Sequence, residues 1–430
     1  TKEKDAEKKW WYIYFWELNQ KKLLDIYLRH NQKIAKKNEE TIVAEREFEF
    51  QTRDGALKFR YEEALANDYV SPKNGRPLVQ INNLKFIQHL TTDIKNLKKQ
   101  NFFRLIGMGG SILGAKAIYK FLQDKTKKKF VFIDNLKPKL SKYEKSNEAV
   151  NIIISKSGNT LETIINTSIL INQNQKSKNI FITEKKNSYL LNLAHKIRAE
   201  VFEHKNYIGG RYSVLSEVGM LPAELMGFDE RKFKRLNLLI NNNNFLKKLI
   251  INVDATLKFI KQGKSNSIIL NYDEKSENLL KWYQQLIAES LGKKSKGLLP
   301  MISNMPMDNH SLLQLYLDGP KKNFYTFFNV LEKKSEIINK KNILNTHAYL
   351  KNKSIFQILN SQKKATENIF KKRKLPFRSF ELLRRNEETL GELFCFFILE
   401  TILLGRALKV NSFDQPSVEL VKKETKKILI

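Results

Sequence analysis

The sequence predicts an α/β protein whose helices flank two parallel sheets, one after the other along the chain. Three observations lead there. From about residue 100, short stretches rich in Ile, Phe and Val alternate with segments of helical spacing, the pattern of strand–helix–strand units. The alternation stops in the Lys- and Asn-rich stretch 230–266 and restarts at SIILNYDE. With 430 residues and 41% hydrophobic content, the chain can bury two moderate cores. The expected division is an N-terminal helical segment plus a first α/β domain over residues 1–240, then a second α/β domain with a C-terminal helical tail over residues 241–430.

The elements follow in order. Residues 17–100 read as mostly helical, with one polar extended stretch at 45–60. NFFRLI is a strand that empties into GMGGS, and ILGAKAIYKFL has helical spacing. KFVFID is a second strand; NIII runs into SKSGNT and then the helical LETIINTSILI; NIFIT and YLLNLAHKI repeat the pattern. In the second half SENLLKWYQQLIAESLG reads as a helix with Leu279, Tyr283, Leu286 and Ser290 along one face, and residues 388–407 as another.

Composition excludes some classes. The 77 Lys+Arg against 45 Asp+Glu leave a net charge of +32, which raises nucleic acid, membrane surfaces and anionic small molecules as partners. The basic residues are scattered among many Asn and Ile, all with A/T-rich codons, so genome composition explains them better than a nucleic-acid-binding stripe. The apolar runs WWYIYFW (10–16) and LFCFFILETILLG (393–405) fall short of the roughly 20 residues of a membrane span. No signal-peptide pattern opens the chain, and the single cysteine, Cys395, forms no intrachain disulfide, so the expectation is a cytoplasmic protein. Cys395 reads as a buried hydrophobe. No His, Cys or carboxylate cluster has metal-ligand spacing.

Two loops carry the chemistry. GMGGS (107–111) and SKSGNT (155–160) both lie where a strand ends and a helix starts, where free backbone N–H groups and the helix dipole attract anions. Asn159 and Glu162 have capping-box spacing. That leaves Ser155, Ser157 and Thr160, a cluster of hydroxyl donors suited to the oxygens of a phosphomonoester. GMGGS could also open a dinucleotide fingerprint ending at Asp134, but the third glycine position holds Ile112, and no P-loop triplet follows either strand.

In order along the chain, GMGGS, SKSGNTLET, GGRYSV (209–214), AESLGK (288–293), DNHSLLQ (308–314) and NSFDQPSVELVK (411–422) resemble the glucose-6-phosphate isomerase family, over roughly three quarters of the sequence. The resemblance implies two sugar-isomerase (SIS) domains, each a three-layer α-β-α sandwich, a homodimer, and interconversion of glucose 6-phosphate with fructose 6-phosphate through a cis-enediolate without any cofactor. It implies Glu289 as the base, Arg211 as the cation facing the enediolate, and His310 and Lys422 for ring opening, with His310 supplied to the neighbouring subunit's site. Ser155, Lys156, Ser157 and Thr160 would hold the phosphate, approached by Gly110 and Ser111, with Gln415 contacting phosphate or sugar and Glu162 lining the sugar pocket. Ser417 and Val421 stand where the family usually has glycine, and the tandem Lys422 and Lys423 leave the ring-opening lysine open between them. Arg211→Lys is expected to damage rate more than folding.

The alternatives are a bifunctional isomerase that also takes mannose 6-phosphate and a non-catalytic sugar-phosphate-binding regulator. The regulator should lack the Glu289, Arg211 and His310 set that this chain has. Neither nucleic acid nor a membrane is an expected partner.

Overall fold

The computed structural model describes residues 50–51, 57–62, 96–171, 179–332 and 334–430. The aromatic run at 10–16 and most of the helical reading of 17–100 lie outside the described residues. The extended reading of 45–60 is met in part, by strands β1 (Phe50–Gln51) and β2 (Leu57–Glu62).

The first sheet is built from β3 (Phe102–Gly107), β4 (Lys129–Ile133), β5 (Val150–Ile154), β6 (Asn179–Thr183) and β7 (Glu200–Glu203). Its order is β4-β3-β5-β6-β7 and every pairing is parallel. Helices α1 (Leu113–Phe121), α2 (Leu161–Leu170) and α3 (Tyr189–Lys196) make the crossovers. Helices α4 (Glu217–Leu225), α5 (Glu230–Phe233), α6 (Leu236–Ile240) and α7 (Asn243–Lys261) follow. The Lys- and Asn-rich stretch is therefore folded: Asn242 caps α7 by accepting from the amides of Asn244 and Phe245, and Phe245, Leu246, Leu249 and Val253 are buried.

The second sheet contains β8 (Asn266–Asn271), β9 (Leu299–Asn304), β10 (Asn323–Val330) and β11 (Phe377–Leu382), in the order β1-β2-β11-β10-β8-β9. β8 to β11 are parallel, whereas β2 pairs antiparallel with β11 and β1 with β2. A strand from early in the chain thus completes the edge of the later sheet. Helices α8 (Glu277–Leu291), α9 (Leu313–Asp318), α10 (Ile355–Lys372), α11 (Glu387–Ala407) and α12 (Pro416–Leu429) complete the chain.

Strand alternation sorts the apolar side chains into layers. In the first sheet Phe103, Leu105, Ile152, Ile154, Ile180 and Ile182 face a large central core, while Ile106, Ile153 and Phe181 face a second cluster with α3. In the second sheet Phe324, Phe328, Phe380 and Leu382 face the same central core, and Tyr325, Phe327 and Phe377 face an outer cluster with α9 and α10. The central core holds α1, α4, α8 and α11 between the sheets. Each sheet is therefore covered by helices on both faces, the three-layer arrangement expected. Cys395 lies in this core, where burial pushes its thiol up to about 12, so it behaves as a hydrophobe. Among the described residues no helix is long and apolar enough to cross a membrane.

Both sheets reverse direction beside their first strand. β3 leads to β4 on one side and β5 lies on the other; β8 leads to β9 on one side and β10 lies on the other. Such switch points leave a crevice at the carboxyl ends of the strands, the usual place for a ligand in an open α/β sheet.

Candidate active site

At the first switch point the carboxyl ends of β3 and β5 are adjacent, Gly107 paired with Ile154. A Cβ on Gly107 would lie 3.0 Å from the Ile154 carbonyl oxygen, so the two loops leave the sheet side by side. After β5, Ser155 Oγ and Thr160 Oγ1 are 2.9 Å apart, and Ser157 Oγ accepts from the Asn159 amide at 3.2 Å. α2 starts immediately afterwards, directing its free amides at the same loop. The hydroxyl cluster read from the sequence is assembled here.

Two details differ from expectation. Asn159 and Glu162 do not form a capping box: α2 begins at Leu161, with Thr160 as the flanking residue, and Asn159 Oδ1 accepts from the Tyr189 amide at 3.0 Å. The Asn side chain ties two loops together instead of closing its own helix. Lys156 does not lend its charge to the loop either. Its Nζ donates to the Asn206 carbonyl at 2.8 Å and lies 3.6 Å from Glu184.

After β3, the Gly109–Ser111 turn packs against the Gly210–Leu215 turn. A Cβ on Gly110 would lie 2.3 Å from the Gly210 carbonyl carbon, and one on Gly109 would lie 2.7 Å from Gln285 Nε2. The backbone contact at Gly110 requires glycine, and Gly109 has a φ of +52°, which favours it. This turn places the hydroxyl loop on one side and Arg211, Gln285 and Glu289 on the other.

Arg211 is the hub of that second group. It is 3% exposed, and all five of its N–H donors are taken. Nε donates to Ser290 Oγ at 2.8 Å, Nη1 to Glu289 Oε2 at 3.1 Å and Gln415 Oε1 at 2.7 Å, and Nη2 to the carbonyls of Ser412 at 2.7 Å and Asp414 at 3.0 Å. The other oxygen of Glu289 accepts from Gln285 Nε2 at 2.7 Å, one helical turn back on α8. Glu289 remains partly exposed, its side chain 31% accessible, so both its orientation and its access are secured.

The face of α8 expected from its spacing is the buried one: Leu279, Tyr283, Leu286 and Ser290 all face the core. Sequence reading missed several members of the cluster. Tyr212 donates to the Ser412 carbonyl at 2.9 Å and lies 2.8 Å from Ser290 Oγ, and burial pushes its hydroxyl pKa up. Lys293 donates to the Ser290 carbonyl at 2.9 Å and to the Asn411 carbonyl, and pairs with Asp414 at 3.2 Å. Together these clamp residues 411–415 onto the end of α8. Gln285 was detectable by its four-residue spacing from Glu289; Ser412 and Asp414 contribute backbone carbonyls, which leave no side-chain signal.

Two expected site residues lie away from the Arg211 cluster, and Glu162 sits beside the hydroxyl loop. His310 follows a short turn after β9, is exposed, and shares no hydrogen bond with the cluster. Asp308 stiffens that turn by accepting from Ser303 Oγ, the Asn304 amide and Ser311 Oγ. Lys422 lies on α12, which buries no residue, and pairs with Glu419 at 2.6 Å. Glu162 is half-buried in the first turn of α2.

Beside the Arg211 turn, Glu217 opens α4 and is buried, with Oε2 lacking a hydrogen-bond partner. A helix N-terminus favours a carboxylate, but desolvation outweighs it and pushes the Glu217 carboxyl up to about 7. Because the folded state holds this proton more tightly than the unfolded one, the stability it contributes is present below the ordinary value of 4.5 and is lost as pH rises through about 7. Glu217→Gln removes that loss. Urea unfolding should show the variant about 2–3 kcal/mol more stable than the parent at alkaline pH and equal to it at acid pH. An equal difference at both pH values would refute the assignment.

Comparison with known proteins places this geometry in context. Residues 91–430 match the family model for phosphoglucose isomerase. A glucose-6-phosphate isomerase from Methanocaldococcus jannaschii is 33% identical over 333 residues, spanning 74% of this chain and 82% of that protein. One from Mycoplasmopsis pulmonis is 35% identical over 375 residues, spanning 78% and 86%. The crystal structure of a glucose-6-phosphate isomerase from Chlamydia trachomatis shares the fold, with a TM-score of 0.63 at 19% identity over 78% of this chain and 72% of that one.

Proposed function

The chain belongs to the phosphoglucose isomerase family, and from that premise we infer that it interconverts glucose 6-phosphate and fructose 6-phosphate. The observation that supports this most is the paired grip on Glu289, one oxygen held by Arg211 and the other by Gln285, across a glycine turn from a hydroxyl-lined anion loop. The phosphate of the open-chain sugar sits against Ser155, Ser157, Thr160 and the α2 amides, with Gly110 and Ser111 alongside. Anchoring the unreactive end converts binding energy into orientation of C1 and C2. Glu289 then removes the proton from the carbon beside the carbonyl, and an enediolate forms. The carboxylic acid returns that proton to the neighbouring carbon, while the hydroxyl proton moves from one oxygen to the other. Nothing is gained or lost overall, so no redox partner is required.

Arg211 acts by positioning. With five donors engaged, it meets a substrate oxygen only by releasing Glu289 or Gln415, so its larger contribution is to hold both in place. Gln415 flanks the start of α12, the helix that carries both candidates for the ring-opening lysine, Lys422 and Lys423.

His310 completes the site of a second copy. Its exposure on a stiffened turn, next to exposed Met307 and Leu315 and to Leu299 and Met301 on the edge strand β9, suits an interface between copies. The test uses a coupled assay with fructose 6-phosphate, in which the purified chain should be active. Glu289→Gln and His310→Ala should each be inactive alone. Mixing them after subunit exchange should restore about a quarter of parental activity, because half the dimers are mixed and each carries one intact site. No recovery on mixing would place His310 within its own chain's site, and an inactive parent would end the functional reading.

A further inference from the structure

Two hydroxyl groups beside Arg211 take no part in the proton transfers. Tyr212 follows Arg211 in the Gly210–Leu215 turn, and Ser290 follows Glu289 on α8. They are 1% and 0% exposed, so neither is placed to touch a substrate. Their hydrogen bonds nevertheless run in a single direction. The Ser412 carbonyl carries no proton, so the Tyr212 hydroxyl donates to it, at 2.9 Å. That uses the only proton Tyr212 has to give. The 2.8 Å contact between the two hydroxyls is therefore donated by Ser290 Oγ to Tyr212. Ser290 Oγ in turn accepts from Arg211 Nε at 2.8 Å, and Arg211 Nη2 donates to the same Ser412 carbonyl at 2.7 Å.

These bonds close a ring. It leaves the guanidinium at Nε, passes through Ser290 and Tyr212, and meets Nη2 again at the Ser412 oxygen. Two of the three nitrogens of a planar group are thereby fixed, and the plane with them. The third, Nη1, is left pointing at Glu289 and Gln415. Members that both donate and accept strengthen one another, and losing a buried one leaves its neighbour unpaired.

We propose that Tyr212 and Ser290 are positioning residues for the isomerisation: their hydroxyls set the plane of Arg211, and through Nη1 that plane sets the carboxylate of Glu289. The proposal rests on the isomerase reading. The hydroxyl loop lies on the other side of the Gly109–Ser111 turn, so the ring governs the reacting end of the sugar and not its phosphate anchor.

Tyr212→Phe removes one hydroxyl and keeps the aromatic ring, whose centre lies 5.4 Å from the Arg211 guanidinium carbon and 5.3 Å from the Phe413 ring. With fructose 6-phosphate the variant should lose about tenfold in kcat and change KM by less than about twofold, because a displaced reacting group costs rate while the anchor still binds. Ser290→Ala should do the same, and it carries the test if Tyr212→Phe fails to fold. In an Arg211→Lys background the ring no longer exists, so adding either substitution should lower kcat by less than about twofold. A kcat unchanged in both single variants, with the loss confined to the urea midpoint, overturns the proposal. So does a tenfold loss that persists in the Arg211→Lys background, or a rise in KM that accounts for the whole defect. An inactive parent overturns the isomerase reading and this proposal with it, whereas an active parent with any of those three results overturns the proposal alone.

Discussion

Glu289→Gln should lower turnover of fructose 6-phosphate about a thousandfold while leaving the fold intact, within the range a positioned general base contributes. The amide keeps the size of the carboxylate and one acceptor oxygen, so either the Gln285 or the Arg211 contact survives. What it lacks is a basic site for the carbon-bound proton. Arg211→Lys should behave differently, and the structure revises the expectation that it damages rate more than folding. An ammonium has three donors and no planar fork, so it cannot serve Ser290, Glu289, Gln415 and two carbonyls together. In that variant both rate and stability should fall, stability by about 2–4 kcal/mol in urea unfolding. A Glu289→Gln protein that retains more than a tenth of parental turnover, or one that unfolds as readily as Arg211→Lys, would contradict this division of roles.

Glu400→Leu should destabilise the chain by about 3–5 kcal/mol, because it strands Arg378 without a counter-charge in the central core. Arg378 and Glu400 are both almost fully buried and directly paired. Burial opposes the Arg378 charge, but Glu400 more than offsets it and the guanidinium holds its proton more firmly than usual. The pair is enclosed by polar partners. Arg378 donates to Thr326 Oγ1 at 2.9 Å, to Asn252 Oδ1 at 2.8 Å and to the Tyr283 hydroxyl at 3.0 Å, while Glu400 accepts from Asn252 at 2.6 Å and Tyr283 at 2.7 Å. The network joins β10 and β11 to α7, α8 and α11, and so fixes the helix that carries Glu289. Replacing both charges, as Arg378→Met with Glu400→Leu, should recover much of the loss, since two apolar side chains need no partners. Urea unfolding of the three variants separates the outcomes; a double variant no better than Glu400→Leu would show that the surrounding polar groups, not the charge, dominate.

Local pattern was readable wherever one face of one element decided the outcome. The apolar stripe of α8 announced which side of that helix is buried, and the small residues of GMGGS and SKSGNT announced two strand ends open to an anion. Partner choice was not readable, because the partners are distant in sequence. Arg211 meets Glu289 from 78 residues away and Gln415 from 204. Asn159 shows the same limit at short range: its spacing suited a capping box, yet the Tyr189 amide, brought close by the β5–β6 pairing, captured its side chain. Lys156 was likewise drawn to Asn206 and Glu184 on neighbouring loops.

The order of strands and helices and the burial of Cys395 were determined by the sequence itself, since periodicity and residue type act over a few positions. Only the tertiary structure decided that Arg211 is saturated and that a strand near residue 60 closes the far sheet. Those outcomes depend on which groups meet after the chain has collapsed, when each buried donor or acceptor must take the partner that geometry provides.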